Sequence, residues 1–542
     1  MLAIFFDRIL FLYAVFYCSL FITDYSFISR GWAITNISAP TGIFIVLFFL
    51  RWLAGQDSFI GTPVLRFIKK LKFVSDFRLV TLAVLITFIT FLVLSVARHL
   101  SLSSSAFDLG IFDQAIWNAA NGNSLYSSLK GMNLLGDHFE PVLFFIAPIY
   151  KIFPSVYVLF ILQSLALASA VIPLYLIAKF RLKERLLVYA FVVSYILSRG
   201  LRGVALSDFH PECFILPLLF WAYYFLITRK NVSLWISLIL LLLCKEDVTF
   251  LISGIGIFTL FFLKRPKLGI ALLVSGIAMW IIETKVFIAS FNPSGSYSYM
   301  DRLPFGATYQ DNIKAVIDNP LLIPQLFLDK EKITYCLKIF GPLGFLSFFS
   351  PAHYILFAIP LFRNLLPANI NYSGWYNITS HYTASLIPFV YISAIAGVSW
   401  LKIKIKSPKS GIVLSLIILL CSLFFYSKTD ASKFAKFISS IKRGRTLEKI
   451  SYLKSVPAEA SVAANFVLVP HLSQRKEIFI WSPAEETSRR ADYLVVDLAL
   501  LDYLGDKEKG AVQPYFDNIY NLGYEKAFEN SAGNFLILRK AK

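Results

Sequence analysis

The chain has 542 residues, 57% of them hydrophobic and 16% charged, with a formal net charge of +19; its mean hydropathy is +0.66. A soluble protein of this length exposes far more charge, so the composition excludes a globular soluble enzyme and indicates a polytopic membrane protein. The basic excess lies in short loops between apolar runs, which is the orientation signal of a chain in the cytoplasmic (inner) membrane and not a nucleic-acid surface.

In chain order, apolar runs predict helices near 5–23, 41–55, 78–98, 155–178, 185–199, 212–228, 231–244, 248–263, 268–290, 333–350, 352–366, 384–400 and 411–426. A span needs roughly 17–25 residues, which most of these approach. The opening "MLAIFFDRILFLYAVFYCSLFITD" has no basic start and no small-residue cleavage site, so it reads as a retained helix. Basic residues gather at Arg66, Lys69, Lys70 and Lys72, at Lys179, Arg181 and Lys183, at Arg229 and Lys230, at Lys264, Arg265 and Lys267, and at Lys402, Lys404, Lys406 and Lys409. Thirteen spans with a cytoplasmic N-terminus place all five loops inside. The outer face then receives 99–154, 200–211, 245–247, 291–332, 367–383 and the tail.

From about residue 427 the pattern changes. "SVAANFVLV" (461–469), "EIFIWS" (477–482), "ADYLVVDLAL" (491–500) and "NFLILRK" (534–540) are short β-prone runs between turn-rich pieces. The expected organisation is an N-terminal transmembrane hairpin at 1–60, a mainly α transmembrane bundle at 61–426 with long outer loops 99–154 and 291–332, and an extracytoplasmic α/β domain at 427–542. Cys18, Cys213, Cys244, Cys336 and Cys421 lie in or beside apolar runs without a CxxC pair, which argues against a disulfide framework or a zinc site.

The polar signals collect on the outer face. "FDLGIFDQAIWN" carries Asp108 and Asp113; "LGDHFEP" carries Asp137, His138 and Glu140; "SDFHPE" carries Asp208, His210 and Glu212; "CKED" carries Lys245, Glu246 and Asp247; "SHYTASLIP" carries His381 and Tyr382. Each has an ordinary reading: Asp108 as a helix cap, Lys245 and Glu246 as an interfacial ion pair, His381 and Tyr382 as interfacial anchors. Ionisable groups at a membrane are costly, however, and five such clusters on one side suggest a shared pocket at the outer boundary. Asp108 and Asp113 are five residues apart, about 140° around a helix, so the two acids have different roles. Mixed acids and histidines would suit Mg²⁺ or Mn²⁺ better than zinc, without a recognised ligand spacing. No P-loop or dinucleotide fingerprint is visible, so no nucleotide cofactor is expected.

In this order, "FDLGIFDQAIWN", "GDHFEP", "SDFHPE", "KED", "SHYTASLIP" and "VPHLSQR" (469–475) resemble the DUF2079 family of predicted membrane proteins, from about residue 100 to the end of the chain. That family is similar to the GT-C superfamily of integral-membrane glycosyltransferases. The resemblance implies a GT-C-like bundle, a polyprenyl-phosphate-linked sugar as donor, and an acidic residue in the first outer loop, matched here by Asp108 with Asp113 second. It also relates "SHYTASLIP" to an Arg/His-Tyr-proline element near the donor phosphate. One departure is the Asp-Leu at 108–109, where several GT-C families have adjacent acids. The expected reaction is transfer of a hexosyl group to an unnamed acceptor outside the membrane. Asp108 is the expected base; Lys245, His381 and Arg202 are expected to face the leaving phosphate; His138, His210 and Glu246 would orient groups or hold a metal. The alternatives are a transporter or flippase of lipid-linked saccharides, and a non-catalytic membrane protein whose tail binds a partner.

Overall fold

The computed structural model describes residues 74–297, 304–306, 308–367, 374–407, 409–426, 429–483, 490–502 and 504–541, together with a two-residue ladder pairing Ile28–Ser29 with Trp32–Ala33. The helices expected at 5–23 and 41–55, and with them the N-terminal hairpin, lie outside the described residues. Helix α1 (Asp76–Leu100) starts on Ser75, whose side chain accepts from the Arg78 amide. It buries Ala83, Thr87, Phe91 and Leu94, one stripe at helical spacing, and exposes Leu82, Ile86, Ile89 and Val93 on the other side. An apolar outer face on a 25-residue helix is what lipid requires.

Beyond it come α2 (Ile111–Ala120), α3 (Val142–Ile152), α4 (Tyr157–Ser169), α5 (Val171–Leu182), α6 (Arg185–Leu197), α7 (Arg199–Leu206), α8 (Glu212–Ile227), α9 (Asn231–Leu242), α10 (Val248–Phe261) and α11 (Pro266–Ile282). The second half adds α12 (Lys330–Phe340), α13 (Tyr354–Leu365), α14 (Ile387–Ile405), α15 (Ser410–Phe425) and α16 (Thr429–Arg443). Among the described residues, four helical stretches are long and apolar enough to cross a bilayer: Asp76–Leu100, Tyr157–Leu182, Pro266–Phe291 and His381–Ile405. A fifth arises if α6 and α7, bent by 40° at Ser198, form one broken span. The apolar helices α3, α8, α9, α10 and α15 are shorter, 10–17 residues each. The thirteen runs read from hydropathy are thus not thirteen full-length helices. The helix expected at 333–350 differs most: α12 stops at Phe340, and Gly341-Pro342 followed by left-handed Gly344 and Phe345 converts the rest to short 3₁₀ turns. Proline lacks the amide that would continue the ladder.

Glycines set the tightest helix contact. A Cβ on Gly269 of α11 would stand 2.6 Å from the Leu260 amide nitrogen of α10, and one on Gly276 would stand 2.6 Å from the Thr249 carbonyl. Both obstacles are backbone, so the close approach depends on the missing side chains, as in other membrane helix pairs.

The tail folds around a five-stranded mixed sheet. In spatial order it runs β2 (Ile478–Ile480), β1 (Val462–Ala464), β3 (Tyr493–Asp497), β5 (Phe535–Lys540), β4 (Tyr524–Glu529). Strand β1 pairs in parallel with both neighbours, while β3–β5 and β5–β4 are antiparallel. Helix α17 (Asp506–Asp517) supplies Val512 and Tyr515 to the core on one side of the sheet, with Trp481 and Leu494. Four of the strands coincide with the β-prone runs; β4 carries the charged sequence YEKAFE and gave no such signal.

The sheet region is fastened to the membrane bundle through the segment that follows α1. Asp113 on α2 is buried and accepts from Ser473 Oγ (2.6 Å), Gln474 Nε2 (3.1 Å) and Tyr150 OH (2.8 Å). Its neighbour Gln114 donates to the carbonyls of Arg475 and Lys476, and Ser128 bonds both backbone groups of Ile478. His471 stacks on His99 of α1 with 3.8 Å between ring centroids. The segment "VPHLSQR" is therefore the seam between the two parts, held open by Arg475, which donates to the carbonyls of Leu472, Pro457 and Ala460.

Two expectations follow. Asp113→Ala leaves the buried Tyr150 hydroxyl and the half-buried Gln474 amide without this acceptor and leaves buried Ser473 only the Pro470 carbonyl at 3.3 Å. A buried donor left unpaired costs about 1–3 kcal/mol, so limited proteolysis should cut the 427–460 region faster while the bundle stays intact; unchanged cleavage would show that the seam does not depend on this carboxylate. Gly269→Leu should lower the melting temperature in detergent, by overpacking of roughly 1–3 kcal/mol or more, whereas the same change at open Gly510 should not.

Candidate functional site

The segment that follows α1 begins the site. Residues Ala106–Gly110 form a π-helical turn that runs straight into α2, an irregularity that recurs at functional positions because it re-aims a side chain. Here it turns Asp108 away from the seam that holds Asp113. The Asp108 side chain is 39% exposed and lies 3.3 Å from His210 Nε2.

His210 is brought there by a strained corner. Asp208 sits in left-handed backbone (φ 62°), a conformation Asp tolerates better than most residues. It is pinned by a bidentate pair with Arg98 at the end of α1 (3.1 and 3.0 Å) and by the Ser105 amide (2.9 Å). The corner, "SDFHPE", then enters α8 at Pro211-Glu212, with proline in the turn that opens the helix.

From His210 the polar groups continue without a break. Its ring stacks on His381 with 3.6 Å between centroids. His381 Nε2 lies 3.8 Å from Glu212 Oε1, and Lys245 Nζ lies 2.5 Å from the same oxygen. Lys245 also faces the Tyr382 ring at 5.9 Å. Next to Lys245 in the α9–α10 turn, Glu246 accepts from the Phe139 amide (3.1 Å) and from Tyr297 OH (3.0 Å), and pairs with His138 Nδ1 (2.8 Å). Asp247 pairs with Arg363, which also donates to the Tyr382 carbonyl and Ser385 Oγ. Glu140 is buried among these charges and feels Lys245, Glu212 and Glu246. Asp137 stands at the rim, 2.8 Å from Lys130.

The electrostatics follow from burial and pairing. Burial pushes the Asp108 carboxyl up, but the hydrogen bond and charge of His210 outweigh it and hold Asp108 at about 2. Burial pulls His210 down, and Asp108 reverses that, so the ring keeps its proton above the usual histidine range. Burial raises Glu246, and His138 then brings it to about 2. Glu140 goes the other way: burial lifts its carboxyl well above the ordinary range despite Lys245, with Glu212 and Glu246 adding to the rise. Three atoms of the network are buried and make no hydrogen bond, Glu212 Oε2, His210 Nδ1 and Asp247 Oδ1.

Of the residues singled out in the sequence, Asp108, His138, Glu140, His210, Glu212, Lys245, Glu246, Asp247, His381 and Tyr382 belong to one connected network. Asp208 supports its corner. Asp113 does not share it, being committed to Ser473, Gln474 and Tyr150. Arg202 points elsewhere: it donates to the Leu197 carbonyl and lies over the Tyr426 ring at 4.2 Å. Arg98 and Arg363 were not anticipated. Arg363 had a signal, a lone arginine inside the apolar run "YILFAIPLFRNLL". Among the described residues no group of three or more His, Cys, Asp or Glu is arranged to hold a metal ion.

The sequence matches the family model "Predicted membrane protein (DUF2079)" over residues 98–531. No curated protein matches it by sequence. Among solved structures, the chain is similar to ArnT from Cupriavidus metallidurans bound to undecaprenyl phosphate, with a TM-score of 0.52 at 10% identity, covering 86% of this chain and 98% of that one. At that identity the likeness is one of fold: a multi-pass helical membrane protein with an ArnT-like fold and a sheet-containing C-terminal region. With the family model spanning most of its length, this chain is a member of the DUF2079 family of predicted membrane proteins.

Proposed function

We propose that the chain is an integral-membrane glycosyltransferase that moves a sugar from a polyprenyl-phosphate donor to an acceptor hydroxyl on the extracytoplasmic side of the cytoplasmic membrane. The observation that carries this reading is the Asp108–His210–His381–Glu212–Lys245 series, set in the first outer loop of an ArnT-like fold. In the reaction, the bond between the anomeric carbon and the phosphate oxygen breaks, and the acceptor oxygen bonds to that carbon. The hydroxyl proton passes to Asp108, the exposed carboxylate of the series. While paired with His210, Asp108 is a weak base. A phosphate drawn to His210 Nδ1, His381 and Lys245 takes over the histidine's charge and returns basicity to Asp108 as the leaving group departs. Glu212 holds Lys245 and His381 in place, and Glu246 does the same for His138 and the 135–141 loop. No step requires a nucleotide, because the donor is already activated.

In this reading residues 61–426 form the catalytic bundle and 427–542 an extracytoplasmic domain. The seam at "VPHLSQR" places that domain against the same outer loop that carries Asp108, where it would help select the acceptor.

The test is incubation of the purified protein with a panel of radiolabelled polyprenyl-phosphate sugars. Asp108→Asn should reduce transfer by about 10²–10⁴-fold with unchanged membrane insertion; wild-type turnover in that variant would overturn the assignment. The pH profile supplies an independent check. Asp108 is ionised above about 2, and His210 holds its proton beyond the usual histidine range. The pair's stabilisation is therefore complete near neutrality, lost as pH falls through about 2, and lost as pH rises through the elevated histidine value. His210→Phe should move the acid limb of the rate profile upward and abolish the alkaline limb. A profile unchanged by that substitution would separate His210 from the chemistry.

A further inference from the structure

Beside the Arg98–Asp208 pair lies a cavity of about 290 Å³ with a different chemistry. Its walls carry Arg98 from α1, Arg199 and Arg202 from α7, and Lys433 and Lys436 from α16. Among the described residues no carboxylate lines it. Asp208 pairs with Arg98 from outside. Arg199 Nε is buried and makes no hydrogen bond. The hydroxyls of Ser103, Thr379 and Ser440 complete the polar lining.

The contribution of α16 follows from its sequence. Lys433, Lys436, Phe437 and Ser440 all line the cavity, a spacing of i, i+3, i+4 and i+7 that makes one helical face. Phe434 and Phe437 pack on the bundle core. Helix α16 follows closely on the apolar helix α15, so its cationic face lies near the membrane boundary. Arg199 also borders a second cavity of about 540 Å³ that carries Lys330 and Lys338 against the single acid Glu331. Guanidinium forks and lysine point charges converging on one pocket, with no acid among its described lining residues, match a phosphate better than a carboxylate of lower charge. The volume lies just under the roughly 300–1,000 Å³ range of drug-sized ligand pockets, which suits a small headgroup.

We infer that the cavity between α1, α7 and α16 binds a phosphate-bearing anion, presented by a lipid headgroup or as free phosphate, at a site separate from the Asp108 network. The inference does not depend on sugar transfer. It is tested on full-length protein in a neutral maltoside detergent, by titration with phosphatidic acid, diacylglycerol and inorganic phosphate and measurement of the shift in melting temperature and of binding. Saturable binding of phosphatidic acid alone identifies a headgroup site; binding of inorganic phosphate identifies a free-phosphate site. In either case Lys433→Glu combined with Lys436→Glu should weaken binding at least tenfold, as should Arg199→Gln, while Lys436→Arg should retain it. The charge-reversed residues lie on an outer helix, and the single Arg199→Gln variant serves should the double variant fail to elute as a monodisperse peak. Absence of binding by both phosphate ligands, equal binding of diacylglycerol, or undiminished binding by the variants would overturn the assignment.

Discussion

A lysine and a glutamate 2.5 Å apart, with 9% and 5% of their side chains exposed, impose the condition that organises the outer end of this bundle. Removing both charges from water costs several kcal/mol per ion, and the attraction between them repays this only if further hydrogen bonds and charges complete the shell. Lys245 and Glu212 meet the condition with neighbours from distant parts of the chain: His381 on Glu212, the Tyr382 face near Lys245, and Glu140 within reach of both. Each recruited group is itself buried and needs a partner, which extends the network to His210 and Asp108 on one side. Glu246, the residue after Lys245, does the same on the other side with His138. The connectivity of the site is therefore a consequence of burying one ion pair at a membrane edge.

The scaffold answers the same demand with backbone devices. The strained corner at Asp208 is held by Arg98 and the Ser105 amide, so the end of the first helix and the start of α8 are locked together behind the network. The π-turn at 106–110 sends Asp108 to the site and Asp113 to the seam. The membrane bundle and the sheet domain thus meet at residues close to Asp108, and a change in how the tail seats on α2 would be felt there within about one and a half helical turns.

Much of this was legible in the sequence, for identifiable reasons. Helices such as 185–197, 212–227 and 248–261 fell within two residues of their hydropathic runs, because burial in lipid or core selects the same residues. Hydropathy could not see that Gly341-Pro342 ends a helix inside an apolar run, nor that polar loops folding back would shorten several spans. The network members announced themselves as charges stranded at one face of a membrane. Asp113 could not be separated from them by composition: its partners Ser473 and Gln474 lie 360 and 361 residues away, and only the helical angle between the two aspartates hinted at different fates. Arg202 looked like a phosphate ligand for the site because it is a cation between apolar runs, yet it donates to the Leu197 carbonyl and lies over the Tyr426 ring.

The π-turn also has a consequence for the tolerance of this loop to change in length. Such a turn is a helix that has absorbed one surplus residue. Deleting Leu109 or Gly110 would remove one residue between the two aspartates and turn one about 100° around the helix axis relative to the other. Asp108 and the Asp113 face would then no longer address their respective partners together. A single residue of slack keeps reactivity and assembly in phase, and the loop should accept many side-chain exchanges while refusing insertions and deletions.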